Sequence, residues 1–223
     1  TDAIENPSRI DGLFIERAMV KASDKLAVLS AEAPINSPVM TDGAAFFQLQ
    51  EEIRSAFECT VVDLPRTMLV NYPHLITDVQ VAVLVTELTL AAGRGAIRIL
   101  SWFKSNAPHT QMIVVANRVP AGGQLEISRK DFEGSIERKI DYQIPYDPKT
   151  AVQAAKLGKP LAEAGKSVKG LGSLAEIADR IVAHTDAGES PAKDGKGKGD
   201  AGKGGSLLGK LSSLSIKLPS KKK

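Results

Sequence analysis

Residues 79–86 (VQVAVLVT) and 111–117 (QMIVVAN) are nearly unbroken apolar runs, and residues 88–106 between them show helical spacing of Ile97, Leu100, Trp102 and Phe103. A strand with no polar alternation has no solvent face, so both of its faces must be covered. Parallel strands joined by helices that pack on both sides satisfy that demand, and the rest of the chain repeats the pattern. Residues 59–63 (CTVVD) and 26–31 (LAVLSA) read as further buried strands, and 142–144 as a short one. Helices are expected over residues 9–23, 43–57, 128–138 and 160–183. Asp11 stands near the start of the first, and Ser128 with Asp131 forms a capping box for the third. The expected fold class is α/β, a doubly wound parallel sheet of four or five strands.

In such sheets ligands bind beyond the carboxyl ends of the strands. The residues at those ends are Asp63, Thr86 with Glu87, Asn117 with Arg118, and Pro145 to Asp147. Each has a plain structural alternative. An apolar strand ending in Asp is common in α/β proteins, and an Asn at a strand end is often a turn residue.

Composition narrows the function classes. The net charge of +3 is unevenly spread: residues 186–223 hold nine Lys against four acids, about +5, which leaves about −2 for residues 1–185. The body therefore carries no nucleic-acid footprint. A single cysteine, Cys59, excludes an internal disulfide framework and fits a reducing compartment such as the cytoplasm. His74, His109 and His184 have no partners at zinc-ligand spacing. No run of 18 apolar residues indicates a transmembrane helix, and residues 1–12 (TDAIENPSRIDG) have no signal-peptide pattern.

Three segments follow from the composition: a folded region 1–185, a low-complexity linker 186–205 rich in Gly, Lys and Ala, and a basic tail 206–223. The linker is too poor in apolar residues to fold. In the tail, Leu207, Leu211, Leu214 and Leu218 fall on one helical face, followed by Lys221, Lys222 and Lys223. Such a segment can lie on an anionic membrane surface or dock on a partner, or it can be a disordered tail that carries leucines.

Two phosphate-loop lookalikes fail on context. AGKS at 164–167 has Pro160 where the loop needs its first glycine, and it lies in a helical stretch. GKGGS at 202–206 sits in the tail with no strand before it. No GxSxG, HExxH or CxxC occurs.

Read together, DLPR at 63–66, VLVTELTLAAGRGAIRIL at 83–100, VVANRV at 114–119, EISRKDFE at 126–133 and IPYDP at 144–148 are similar, in order and spacing, to one family. They resemble the CpaE/TadZ pilus-assembly ATPases, a branch of the MinD/ParA group of deviant P-loop proteins, over roughly residues 1–183. That family's domain normally begins with a strand, a lysine-led glycine loop and a helix. The expectation is thus a C-terminal portion of a longer protein, a partial MinD/ParA-like domain that lacks the phosphate loop.

The resemblance implies roles residue by residue. Asp63 matches the acid that holds a magnesium-bound water, and Pro65, Arg66 and Thr67 fall in the switch segment. Family members usually carry glycine where Thr67 stands, a departure that bears on γ-phosphate sensing and hydrolysis. Asn117 matches the residue that reads the adenine edge, Arg118 is placed to stack on the base, and Pro145, Tyr146 and Asp147 match the loop that closes over it. ATP and Mg are the implied ligands of the intact protein, with no tight binding and no hydrolysis expected of this chain alone. The implied partners are a second copy in a homodimer, the pilus secretion machinery, and the inner-membrane surface or cell pole through the tail. A non-catalytic scaffold is the alternative, as is a ParA-like partitioning ATPase, although the body lacks the basic surface that DNA binding needs.

Overall fold

The computed structural model describes residues 10–30, 36, 43–122, 125–168 and 170–187. The linker beyond Ala187 and the leucine-lysine tail lie outside the described residues.

Helix α1 (Gly12–Ala18) starts at Asp11, whose carboxylate accepts the Phe14 N–H at 2.7 Å. It is shorter than its apolar spacing predicts. Residues 20–23, expected to continue the helix, form strand β1 (Val20–Ser23), which turns through Asp24 and Lys25 into β2 (Leu26–Val28). The two pair antiparallel, with Val20 opposite Val28. The expected buried strand at 26–31 is therefore one arm of a hairpin, and Leu26 and Val28 are exposed. Helix α2 (Gly43–Ala56) forms over the predicted span, with Ala45 as its buried residue and Phe47 exposed.

Residues 57–65 are a second correction. CTVVD has strand-forming residues but belongs to no strand, and Val61 is 82% exposed. Among the described residues no neighbouring strand pairs with it, and an isolated extended segment cannot satisfy its backbone except with water. Pro65 then opens the short helix α3 (Arg66–Asn71), accepting the Met68 and Leu69 N–H groups. A 3-10 turn, Pro73–Ile76, leads on to the sheet.

The central sheet has three parallel strands in the order β3 (Val81–Thr86), β4 (Gln111–Val119), β5 (Tyr142–Pro145). This is the expected doubly wound arrangement with fewer strands than predicted. Helix α4 (Leu90–Asn106) crosses from β3 to β4, and α5 (Arg129–Ser135) lies between β4 and β5. After β5 come α6 (Pro148–Leu157), α7 (Leu161–Ala164) and α8 (Ser173–Ala187). The predicted helix over 160–183 is thus broken at residues 165–172, where Gly170 takes φ 94°.

Strand β4 carries the core. Val114 and Ala116 pack toward Ala96 of α4 and Phe132 of α5, whereas Ile113 and Val115 pack toward Leu171 and α8. All four are within 1% of complete burial, as a strand covered on both faces requires. A third cluster joins Leu69 of α3 to Phe103 of α4, with Ile99 and Leu64 against it. Among the described residues β3 pairs only with β4, and Val83 and Val85 are 37% and 57% exposed.

The loops are fixed by side-chain caps and buried ions. Thr89 caps α4 through the Ala92 N–H, and the Glu126 carboxylate accepts the Leu90 N–H at 3.1 Å. Ser128 caps α5 as its capping-box pattern predicts. Glu133, 8% exposed, accepts from the Ile140 N–H, Lys139 and Arg129 at 2.9–3.0 Å. Those donors, the Ile140 N–H first, hold its carboxyl at about 2, against 4.5 ordinarily.

Candidate functional site

An open cleft of about 400 Å³ lies at the carboxyl ends of β3 and β4. Its β3 side is formed by Leu84 to Glu87, its α4 side by Ala92, Gly95, Ala96 and Ile99, and its β4 end by Asn117 and Arg118. A cleft of this size in this position is where an open α/β sheet binds small ligands.

The β4 end is built by a bulge. Ala116 pairs with Gln143 and Val119 with Pro145, so β4 takes three steps where β5 takes two. The extra residue breaks the alternation that would send residues 117 and 118 to opposite faces, and both line the cleft. Arg118 adopts φ 52°, the left-handed region that non-glycine residues seldom occupy. The Asn117 Oδ1 accepts the Arg118 N–H at 2.9 Å and ties the bulge to its own side chain. No glycine marks this position, so the pattern of residue types gave no sign of the bulge.

Across the cleft mouth the Arg118 guanidinium meets the Glu87 carboxylate at 3.3 Å. The two side chains are 66% and 48% exposed, so the pair is worth at most about 1 kcal/mol. Water screens it, and a ligand can displace Glu87 from Arg118 at little cost.

Pro145, Tyr146 and Asp147 sit beside this bulge on the neighbouring strand. The Tyr146 N–H donates to the Val119 carbonyl at 2.8 Å, which anchors the loop to the bulged strand, and the Tyr146 ring is 55% exposed. Asp147 is occupied structurally: as the cap of α6 it accepts from the Thr150 hydroxyl at 2.6 Å and the Thr150 N–H at 3.0 Å. These bonds, the hydroxyl first, pull its pKa below the usual aspartate value. Asn117, Arg118 and Pro145–Asp147 therefore form one neighbourhood, although the last three do not line the cleft.

The switch-segment residues lie apart from it. Asp63 is exposed on the unpaired stretch 57–65, Pro65 caps α3, and Thr67 points to solvent on its first turn. Arg66 alone reaches toward the cleft: its Nη1 lies 3.7 Å from where a Cβ on Gly95 would stand. Among the described residues no group of three His, Cys, Asp or Glu is gathered to hold a metal. Asp63 stands outside any such group, so the described residues build no protein cage for a metal around it. The amide of Asn117, the exposed Arg118 and the apolar walls do fit a planar heterocycle with a polar edge.

Among the described residues no helix is long and apolar enough to cross a membrane. No protein-family model and no curated protein matches the chain. Solved structures do. A ParA family ATPase from Chlorobium tepidum superposes with TM-score 0.65 at 18% identity, covering 82% of this chain and 72% of that one. The MinD cell division protein of Aquifex aeolicus gives TM-score 0.58 at 20% identity over 86% and 76% of the two chains. The cell division ATPase MinD of Pyrococcus furiosus gives TM-score 0.58 at 17% identity over 84% and 73%. At these identities the likeness establishes architecture, and this chain has a MinD/ParA-like α/β fold.

Proposed function

We propose that the protein is an adenine-nucleotide-binding localisation factor of the CpaE/TadZ type, which serves a pilus secretion machinery as a homodimer. The observation that carries the reading is the bulge at the end of β4, which turns Asn117 and Arg118 together into the strand-end cleft. Asn117 offers an amide to the base edge, and Arg118, released from Glu87, offers a planar cation to stack on it. The neighbouring Pro145–Asp147 loop supplies a rigid flank, since Tyr146 is bonded to β4 and Asp147 to α6. Solved proteins of this fold include ones described as ATPases, which supports a nucleotide as the ligand. Asp63 would hold a water of the accompanying magnesium. The tail, with Leu207 to Leu218 on one face and Lys221–Lys223 at its end, is proposed as the membrane contact at the cell pole.

Titration of the purified chain with ATP and with adenosine, with and without magnesium, tests the reading. Weak binding of either one that Asn117→Ala abolishes supports it, and no detectable binding of either at the highest soluble ligand concentration would overturn it. A pull-down against pilus secretion proteins tests the pilus assignment separately. Co-sedimentation with anionic vesicles, with and without residues 206–223, tests the tail, and equal binding would overturn that contact.

Thr67 favours a second reading, a scaffold that uses the fold for protein contacts without hydrolysis. It stands where relatives in the resembled family carry glycine, and in this chain it is exposed on α3 and apart from the cleft. Measured ATP turnover by the chain would reject the scaffold.

A further inference from the structure

We propose that Glu87 reads the exocyclic amine of the base seated in this cleft, so that the site selects amino-substituted bases such as adenine over bases that lack the amine. This rests on reading the cleft as a nucleotide site. Thr86 of β3 pairs with Ala116 of β4, so Glu87 and Asn117 are the next residues along two strands that lie roughly 5 Å apart. Both line the cleft. The 3.3 Å contact of Glu87 with Arg118, the residue after Asn117, turns the carboxylate toward the β4 end.

The two side chains offer opposite halves of a hydrogen-bonding edge. The Asn117 Oδ1 already accepts the Arg118 N–H at 2.9 Å, and that bond fixes which amide atom is the oxygen. The Nδ2 group is what Asn117 has left for a ligand, and it can only donate. A base edge carries donors as well as ring acceptors: adenine presents an exocyclic amine beside a ring nitrogen. An ionised carboxylate is acceptor-only, and Glu87 is the one acid among the residues that line the cleft. Nδ2 therefore suits the ring nitrogen, and Glu87 suits the amine next to it.

The ion pair across the cleft mouth gives this match its energy. In the empty cleft the Arg118 guanidinium satisfies Glu87. When Arg118 turns to stack on a base, Glu87 loses that donor as the base edge shuts out part of its water. The apolar walls, Leu84, Ala92, Ala96 and Ile99, supply no replacement. A carboxylate left without a donor in such a place is costly. An exocyclic amine takes over from the guanidinium, whereas a ring C–H at the same position does not. Discrimination of this kind comes from the polar group that the wrong ligand leaves unpaired. Glu87 is 48% exposed, so water keeps partial access and the preference is moderate, about tenfold.

NMR titrations of the full 223-residue chain, followed at the Arg118 amide, compare adenosine with purine riboside, the same nucleoside without the amine. The wild type should bind adenosine about tenfold more tightly than purine riboside. Glu87→Ala should bring the two affinities together by weakening adenosine alone. Glu87→Gln, which keeps an acceptor oxygen without the charge, should fall between the wild type and the alanine variant. Equal affinities in the wild type, or a preference for adenosine that survives in Glu87→Ala, overturn the proposal and leave the nucleotide reading standing. So does an equal loss for both nucleosides in Glu87→Ala, which would assign Glu87 to holding Arg118 in place. A wild type that binds neither nucleoside at the highest soluble concentration rejects the nucleotide reading, and the role of Glu87 with it.

Discussion

The Oδ1 of Asn117 accepts the N–H of Arg118, the one residue of β4 in the left-handed region. The side chain that the cleft presents to a ligand is also the one that holds the strained residue beside it. Both halves of that relationship can be separated by substitution.

Replacing Arg118 by glycine removes a left-handed strain of about 1–2 kcal/mol, offset by the entropy glycine loses on folding. The melting temperature should hold or rise slightly, while nucleotide affinity falls with the lost guanidinium. Asn117→Ala should lower both. Differential scanning fluorimetry beside ligand titration distinguishes the two variants, and a large loss of stability in Arg118→Gly would contradict the strain.

Glu133 provides a pH test. Its folded pKa of about 2 lies below the ordinary 4.5, so its stabilisation is fully present above 4.5 and lost as pH falls toward 2. Glu133→Gln should melt several degrees below the wild type at neutral pH. The gap should close between pH 4.5 and 2 in a series of thermal melts, and a gap that stays constant across that range would assign the effect to packing instead.

Asp141 joins helix α8 to the sheet. Its Oδ1 meets the Arg180 guanidinium of α8 at 2.8 Å, and its Oδ2 accepts the N–H of fully buried Val114 at 2.8 Å. Arg180→Ala leaves the second bond intact and should cost about 1–2 kcal/mol. Asp141→Ala also strands the buried N–H, which adds about 1–3 kcal/mol. Urea melts should rank the two in that order, and equal losses would mean that Val114 finds another acceptor.

Gly170, at φ 94°, faces Pro145 so closely that a Cβ would stand 3.1 Å from the proline Cγ. Gly170→Ala should therefore cost about 1–3 kcal/mol from backbone strain alone and press on the loop beside the bulge. Tyr146 fluorescence offers a local readout in a variant lacking the other tyrosines and the single tryptophan. An alanine variant as stable as the wild type would show that the turn relaxes.

Much of this was legible in the order of residue types. VAVLVT and QMIVVAN announced a buried parallel pair because their apolar runs leave no solvent face, and Ser128 with Asp131 announced the start of α5. CTVVD misled for a physical reason: Thr60, Val61 and Val62 favour extended backbone, but local preference does not supply the neighbouring strand that makes a sheet. Val20 to Ser23 misled in the opposite direction, since helical spacing of apolar residues does not reveal a two-residue turn downstream. At the cleft, Asn117 and Arg118 were found by their place at a strand end. The bulge that brings both inward was not, because arginine rather than glycine takes the left-handed position. Nothing in the sequence pattern related Arg66 to Gly95, whose proximity depends on how α3 packs on α4.

The side of β3 that no described strand pairs has a kinetic consequence. The Gln80 carbonyl accepts the Gln111 N–H, so even-numbered residues of this strand direct their backbone groups toward β4. Val81, Val83 and Val85 direct theirs the other way. In deuterium exchange read by NMR, the amides of Ala82 and Leu84 should persist, while those of the three valines wash out far sooner. Uniform protection along the strand would mean that something lies against that side in solution.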